Sequence, residues 1–329
     1  MRSICLSFIA VILPALNCVA ADNVAIDVLG NDTVGTDVLA ADTTRTEVVG
    51  SGKNAKTITQ QESRIIPYLM LDSEFVGSGD FVKGGNSSTW ENRFQMGILK
   101  PLNNLQWPNL DGQWRLRLGA EWHRFDFNHD TSLPVPNTLQ SVAAVIGLEY
   151  VLDRQRVIIL EAKPGFYFEQ DIYAGTFNVP IKLGAAYKIT DTFALVAAVS
   201  YDGFRSYPII PGIGFVWQVT PTLTFKMVPP DPKIEWQVND NTILWLGGEL
   251  AGGAYRTDQD RDGELREAAI TYTDYRVAVG ATWRANDIWT LETAVGASLY
   301  RKWDYHRAEE GYKIDEAAPY VKLSLRAVF

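Results

Sequence analysis

The sequence predicts an all-β fold: an antiparallel transmembrane β-barrel of about 12–14 strands, with short turns at one end and longer loops at the other. Three observations carry that expectation. First, the chain ends on "YVKLSLRAVF", where Val321, Leu323, Leu325, Ala327 and Phe329 alternate with Tyr320, Lys322, Ser324, Arg326 and Val328. Strand side chains alternate faces with a period of two, so one side meets an oily surface and the other a wet one. Second, "EYVLDRQRVI", "AYKITDTFAL", "VWQVTPTLTF", "EWQVNDNTIL" and "TWRANDIWTL" share one shape, an aromatic residue three or four positions before a tight polar turn and then renewed alternation. The aromatic residues Tyr150, Tyr187, Trp217, Trp236 and Trp283 therefore stand at one height, as a belt at a membrane interface requires and a soluble sandwich does not. Third, the connections between these turns are longer and more polar: "NHDTSLPVPNT", "EQDIYAG", "DGFRSYP" and "RTDQDRDGELRE".

Residues 1–21 read as a secretory signal, with Arg2 in a short n-region, an apolar run from Ile4 to Leu16 and small residues up to Ala21. A lipoprotein reading through Cys18 places Leu16 and Asn17 where small residues are expected. Both cysteines, Cys5 and Cys18, fall inside that leader, so an exported chain cut there carries no thiol for a disulfide or a metal. The formal net charge of −9 points away from nucleic acid as a partner. No later segment has the roughly 18 apolar residues a spanning helix needs, so any crossing is made by strands. Residues 22–63 contain a decayed decapeptide repeat, "IDVLGNDTVG", "TDVLAADTTR", "TEVVGSGKNA", and are expected to be a flexible acidic periplasmic linker, a short β-solenoid being the alternative.

The barrel is expected to occupy 64–329, with strands near 65–77, 87–99, 114–127, 139–151, 156–168, 176–188, 192–201, 207–219, 222–228, 233–238, 242–255, 268–283, 288–303 and 318–329. Most reach the roughly 9 to 11 residues that a tilted spanning strand needs. The pair around "KMVPPDPKIE" does not, which leaves the count between 12 and 14. Val321, Leu323, Leu325 and Phe329 resemble the last-strand signal by which outer-membrane barrels are recognised by their assembly machinery. The compartment expected is the cell outer membrane, with its lipid as a partner.

Parity assigns the faces. Trp114, Leu116, Leu118, Ala120 and Trp122 alternate with Arg115, Arg117, Gly119, Glu121 and His123, and an Arg or Lys facing lipid near the midplane costs about 2–4 kcal/mol. The inward set is then Arg115, Arg117, Glu121, His123, Glu149, Glu161, Lys163, Lys182, Glu249, Asp274, Arg276, Glu292, Lys322 and Arg326. Either these charges pair across strands and close the interior, or they line a wet passage for small polar solutes or ions.

Enzymatic chemistry finds little support. His123, His129 and His306 are the only histidines, none at metal-ligand spacing from another, and HExxH, GxSxG and phosphate-loop patterns are absent. A lipid-acting barrel enzyme is the rival reading, and a surface-display or adhesin barrel, or a soluble β-sandwich adhesin, is another. No cofactor is expected beyond a candidate loop-bound Ca2+. Asp258, Asp260 and Asp262 before Gly263 match half of a calcium loop, although Ala269 stands where the bidentate Glu belongs and a solvated acidic loop explains them as well. Trp303 and Tyr305 near the loop end fit either a second aromatic belt or a surface for stacking sugars.

The blocks "YPIIPGIGFVWQ", "PKIEWQVNDN", "LWLGGELAGGAYR" and "YTDYRVAVGATW" resemble those of an uncharacterised bacterial outer-membrane β-barrel family, a domain of unknown function, over roughly Ile65 to Phe329. The resemblance implies the barrel and the compartment, and no activity.

Overall fold

Alternation with a period of two turns into strands nearly everywhere it occurs. The computed structural model describes residues 44–49, 56–61, 65–102, 112–130, 132–153, 155–306 and 310–329. Strands β1 (Thr44–Val49) and β2 (Lys56–Gln61) pair antiparallel as a hairpin within the segment expected as a linker. The rest of that segment, and the leader 1–21, lie outside the described residues.

From Ile66 onward the strands are β3 (Ile66–Asp80), β4 (Asn86–Pro101), β5 (Gln113–Asp130), β6 (Thr138–Val151), β7 (Arg156–Ala162), β8 (Gly165–Phe168), β9 (Phe177–Asn178), β10 (Ile181–Thr190), β11 (Phe193–Tyr201) and β12 (Ile209–Thr220). They continue as β13 (Leu223–Met227), β14 (Lys233–Asn239), β15 (Thr242–Arg256), β16 (Ala269–Arg284), β17 (Trp289–Tyr305), β18 (Glu310–Ile314) and β19 (Ala318–Val328). Three staves of the wall are interrupted: β7 and β8 both pair with β6, β9 and β10 continue one another against β8 and β7, and β18 and β19 both pair with β17. The wall thus has 14 staves, and β19 pairs antiparallel with β3 from Tyr320↔Val76 to Val328↔Tyr68, which leaves the sheet without an end.

The staves coincide with the fourteen expected from the sequence, and the doubtful pair is present as β13 and β14, both hydrogen-bonded into the ring. These two stay short, at 5 and 7 residues, because prolines 221, 229, 230 and 232 bound them and cannot donate to a ladder. The wall is therefore uneven. β3 to β6 and β15 to β17 run for 14–18 residues, whereas β10 to β14 run for 5–12. At the loop end β15 leans across and touches β8 through a parallel bridge, Arg256↔Phe168, so the tall staves nearly close on themselves above the low ones.

The outer face is a continuous apolar band that includes Leu71, Leu118, Val142, Ile146, Leu183, Leu195, Val279, Val295 and Leu323, all exposed. Water does not tolerate so much exposed hydrocarbon, and a bilayer does. At the short-turn end Tyr187, Trp217, Trp236 and Trp283, the residues expected as an aromatic belt, face outward and are about half exposed. Tyr150 departs from it. It has the outward parity but is buried, because its hydroxyl accepts from the Gly112 amide at 3.1 Å and Trp114 packs on its ring at 4.3 Å between centroids. Phe329 lies against Trp289 at the same end, and its amide donates to the Pro67 carbonyl at 2.9 Å. Val321 and Leu323 of the last strand face outward, Leu325 less fully.

Candidate functional site

The interior is divided into three zones. Toward the loop end, Phe81, Phe125, Phe127, Leu139, Tyr255, Ile270, Tyr272, Trp303, Tyr305 and Ile314 form one buried cluster that fills the mouth of the tall half. Trp303 and Tyr305 are therefore neither a belt nor a sugar platform. A register shift opposite Tyr275/Arg276 makes Leu299 an extra residue in β17, so the inward residues are Glu292, Ala294 and Ser298 below it and Arg301, Trp303 and Tyr305 above it. One inserted residue exchanges the two faces of everything beyond it.

Below the aromatic cluster lies a layer of paired charges. Arg276 reaches Glu74 at 2.5 Å, Glu91 at 2.8 Å and Asp274 at 2.8 Å, and all four are buried. Lys322 bridges Glu74 at 3.0 Å and Glu249 at 3.3 Å, the Tyr320 hydroxyl donates to Glu74 at 2.6 Å, and His123 holds Glu91 at 2.8 Å. A second group sits between β5, β6 and β7: Arg117 pairs with Glu149 and, at 3.5 Å, with Glu161, and Lys163 pairs with Glu121 at 2.9 Å. In a third, Lys233 meets Asp231 at 3.2 Å and Glu292 at 3.3 Å while lying over the Trp245 ring. A small cavity between the first and third groups, lined by Lys233, Trp245, Glu249, Arg276 and Lys322 among others, has room for about one water molecule. Of the remaining expected residues, Arg115 donates to Gln113 at 3.1 Å near the short-turn end, Lys182 stands opposite Glu161 in the β7–β10 register, and Arg326 is half-buried on the inward parity of β19.

A buried charge is tolerated when it is paired and hydrogen-bonded, and three carboxylates around one guanidinium would repel one another without it. The sequence list lacked several members of this layer. Asp72 and Glu74 could have been found from the strict alternation Tyr68, Met70, Asp72, Glu74, all buried. Arg301, which donates to the Ser87 carbonyl at 2.9 Å and the Gly77 carbonyl at 3.3 Å, could not, because the bulge reverses its parity. Lys233 and Asp231 sit at the end of a proline-broken turn where no alternation exists.

The third zone is apolar. Val157, Ile159, Ala186, Val196, Val216 and Val228 pack together on the inner side of the low staves.

The candidate calcium residues do not converge. Asp258 is buried and its Oδ1 accepts from the amides of Gln170 and Asp171 at 3.1 and 2.9 Å, while Asp260 and Asp262 are exposed. Among the described residues no three His, Cys, Asp or Glu side chains gather around a metal position. The loop is instead tied down by Arg261, whose guanidinium clasps Glu169 and also donates to the Pro134 carbonyl at 2.8 Å. Its hydrogen bond to Glu169 raises the Arg261 pKa against the opposing effect of burial. His306 bonds the Thr271 hydroxyl at 2.7 Å at the rim, and burial lowers its pKa below the ordinary histidine value. Both ring nitrogens of His129 are buried with no hydrogen-bond partner. Among the described residues none of the three histidines joins a nucleophile and a carboxylate in the geometry of acyl transfer.

No family model and no curated protein matches the chain. Solved structures similar to it include an outer membrane channel from Pseudomonas putida F1 (12% identity, 80% of this chain and 95% of that chain, TM-score 0.43). The NanC porin (9%, 79% and 98%, TM-score 0.36) and a mutant of the TodX monoaromatic hydrocarbon channel (10%, 80% and 89%, TM-score 0.35) are similar to it as well. At these identities and TM-scores no residue, solute or mechanism carries over.

Proposed function

We propose that the chain is an outer-membrane transport barrel, exported through removal of residues 1–21, whose charged lumen passes small polar solutes or ions through a narrow route. One observation carries this reading: acids and bases drawn from most tall staves converge on one axial layer inside an apolar outer wall. A purely structural barrel could fill that space with aliphatic side chains, which are often as stabilising as buried ion pairs or more so. Paired charges can exchange partners with a passing ion, as charged rings do in channels. The described conformation is the closed one, and passage requires Arg276, Lys322 or Lys233 to exchange a protein carboxylate for solvent or solute. Val321, Leu323, Leu325 and Phe329 would guide insertion by the assembly machinery, with lipid as the other partner.

The test is the conductance of the refolded protein in a planar bilayer, with E121Q, E161Q and R117Q introduced one at a time. Steady openings whose cation preference falls in E121Q and E161Q and rises in R117Q support the route. A silent bilayer with the barrel shown to be folded and inserted overturns it, and favours the display reading, in which the tied-down loops are the working surface.

A further inference from the structure

The low wall has a gap. β13 ends at Met227, opposite Phe215, so among the described residues the edge of β12 from Ile209 to Gly214 has no strand beside it. Across the gap β14 stops at Lys233, opposite Gly247, and only the Pro232 and Pro230 carbonyls continue along β15, accepting from the amides of Gly248 and Leu250 at 2.9 Å. Above Leu250, among the described residues, that edge has no strand beside it until the Arg256↔Phe168 bridge. The opening is thus framed by Ile209–Gly214 on one side and Leu250–Arg256 on the other. Its sill is Val228–Pro230, and its lintel is Phe204, whose ring lies 4.8 Å below the Arg256 guanidinium.

The notch stands at membrane depth. Tyr201, opposite Ile209, marks one aromatic level and Trp217 marks the other, and the free edge lies between them. On β12 the residues bonded to β11 are the even ones, as the Asp202–Pro208 and Gln218–Thr192 bonds show, so the odd ones turn their backbone groups toward the gap. Pro211 is one of these and has no N–H to leave unpaired, the usual device at an exposed edge. Ile213 is 75% and Ile209 62% exposed, well above most of the outer band.

The inner side is open too. Ile210, on the inward parity, is 40% exposed, and a Cβ placed on Gly212 would meet nothing nearer than the Ala198 carbonyl at 4.0 Å. In the tall half the same construction on Gly97, Gly119, Gly280 or Gly296 meets backbone within 2.6 Å. Beneath this space lie Val196, Val216 and Val228, an apolar floor with Lys226 at its edge opposite Val216. The axial mouth above the tall half is filled by the aromatic cluster, so the open way into the low half is sideways.

We propose that this notch is a lateral portal through which an apolar, acyl-chain-like molecule passes between the outer hydrocarbon layer and the inner face of β11 and β12. The chain would slide past Ile213 and Pro211 and rest over Ala198, Gly212 and Val196. This route goes beyond the polar one and fails separately, since conductance reports on the charged layer and the following measurement on the low wall.

The full chain, with Cys5 and Cys18 replaced by serine, is given a single nitrobenzoxadiazole label at A198C, or at I210C, and refolded into phosphatidylcholine vesicles brominated along the acyl chains. Heat-modifiable migration verifies folding of each variant. A294C, inward on the tall wall, is the control, since its backbone is screened from lipid by the same single layer of sheet. Quenching at least threefold stronger at A198C or I210C than at A294C, and cut by more than half on adding G212F, is the expected result. Equal quenching at inner positions of both walls, or quenching unchanged by G212F, overturns the portal.

Discussion

The two halves of the wall fill their interior to different degrees. In the tall half, long staves enclose a lumen packed with guanidinium, ammonium and carboxylate groups under an aromatic mouth. In the low half, β11 and β12 line their inner face with valine, alanine and glycine beside an unfilled notch, and β13 and β14 carry the Lys226–Glu235 pair. The difference shows that Arg276 and Glu74 of the tall half are buried whereas the Lys226–Glu235 pair of the low half stays partly wet. β11 and β12 turn Ala194, Val196, Ala198, Gly212 and Val216 inward, whereas the proline-bounded β13 and β14 turn Lys226, Lys233 and Glu235 inward beside them.

Substitutions can break or sharpen that contrast. The largest effect is expected for Arg276→Met, which takes from buried Glu74, Glu91 and Asp274 the cation they share. Removing one partner of a buried ion pair costs about 3–5 kcal/mol, and the urea midpoint of the refolded barrel should fall accordingly. Trp303→Ala removes the centre of the aromatic mouth and is expected to cost about 3–5 kcal/mol by the same measurement, as large aromatic truncations do. Val279→Arg places a cation on the exposed outer band of β16 and should cost about 2–4 kcal/mol if that band lies near the midplane, read as a lower folding yield into vesicles. Lys226→Met removes a pair with Glu235 at 2.9 Å on the low wall, where both side chains stay partly wet, and should cost no more than about 1 kcal/mol. If Lys226→Met proved as damaging as Arg276→Met, the contrast between the halves would be wrong.

The smallest effect is a pH dependence at the rim. Burial lowers the folded-state pKa of His306, so the folded chain binds its proton less readily than the unfolded chain does. Stability from this group is present above the unfolded value of about 6.5 and declines as pH falls from there toward the folded value. The urea midpoint should drop more between pH 7.5 and 5.5 in the wild-type chain than in H306Q. An equal drop would show that the Thr271–His306 contact does not sense protonation.

Much of the lumen was legible. Arg115 through His123 alternate so regularly that their facing follows from parity alone, and a charge cannot be left on the outer band at acceptable cost. Tyr187, Trp217, Trp236 and Trp283 were legible for the same reason. Tyr150 was not, because its burial comes from Trp114 on the neighbouring strand and from the Gly112 backbone. Trp303 and Tyr305 failed through one inserted residue at Leu299, which no local pattern announces.

Three things were settled by the sequence on its own: that the chain forms strands, where they turn, and which residues share a face within each uninterrupted run. Those properties depend on side-chain period and turn chemistry, which act over a few residues. Tertiary structure alone decided which charges meet, how the bulge in β17 brings Arg301 inward, how β15 leans onto β8, and where the low wall stays open. Register and stagger between strands are set by the closure of all fourteen staves at once, and a sum over the whole ring is not written in any one of its segments.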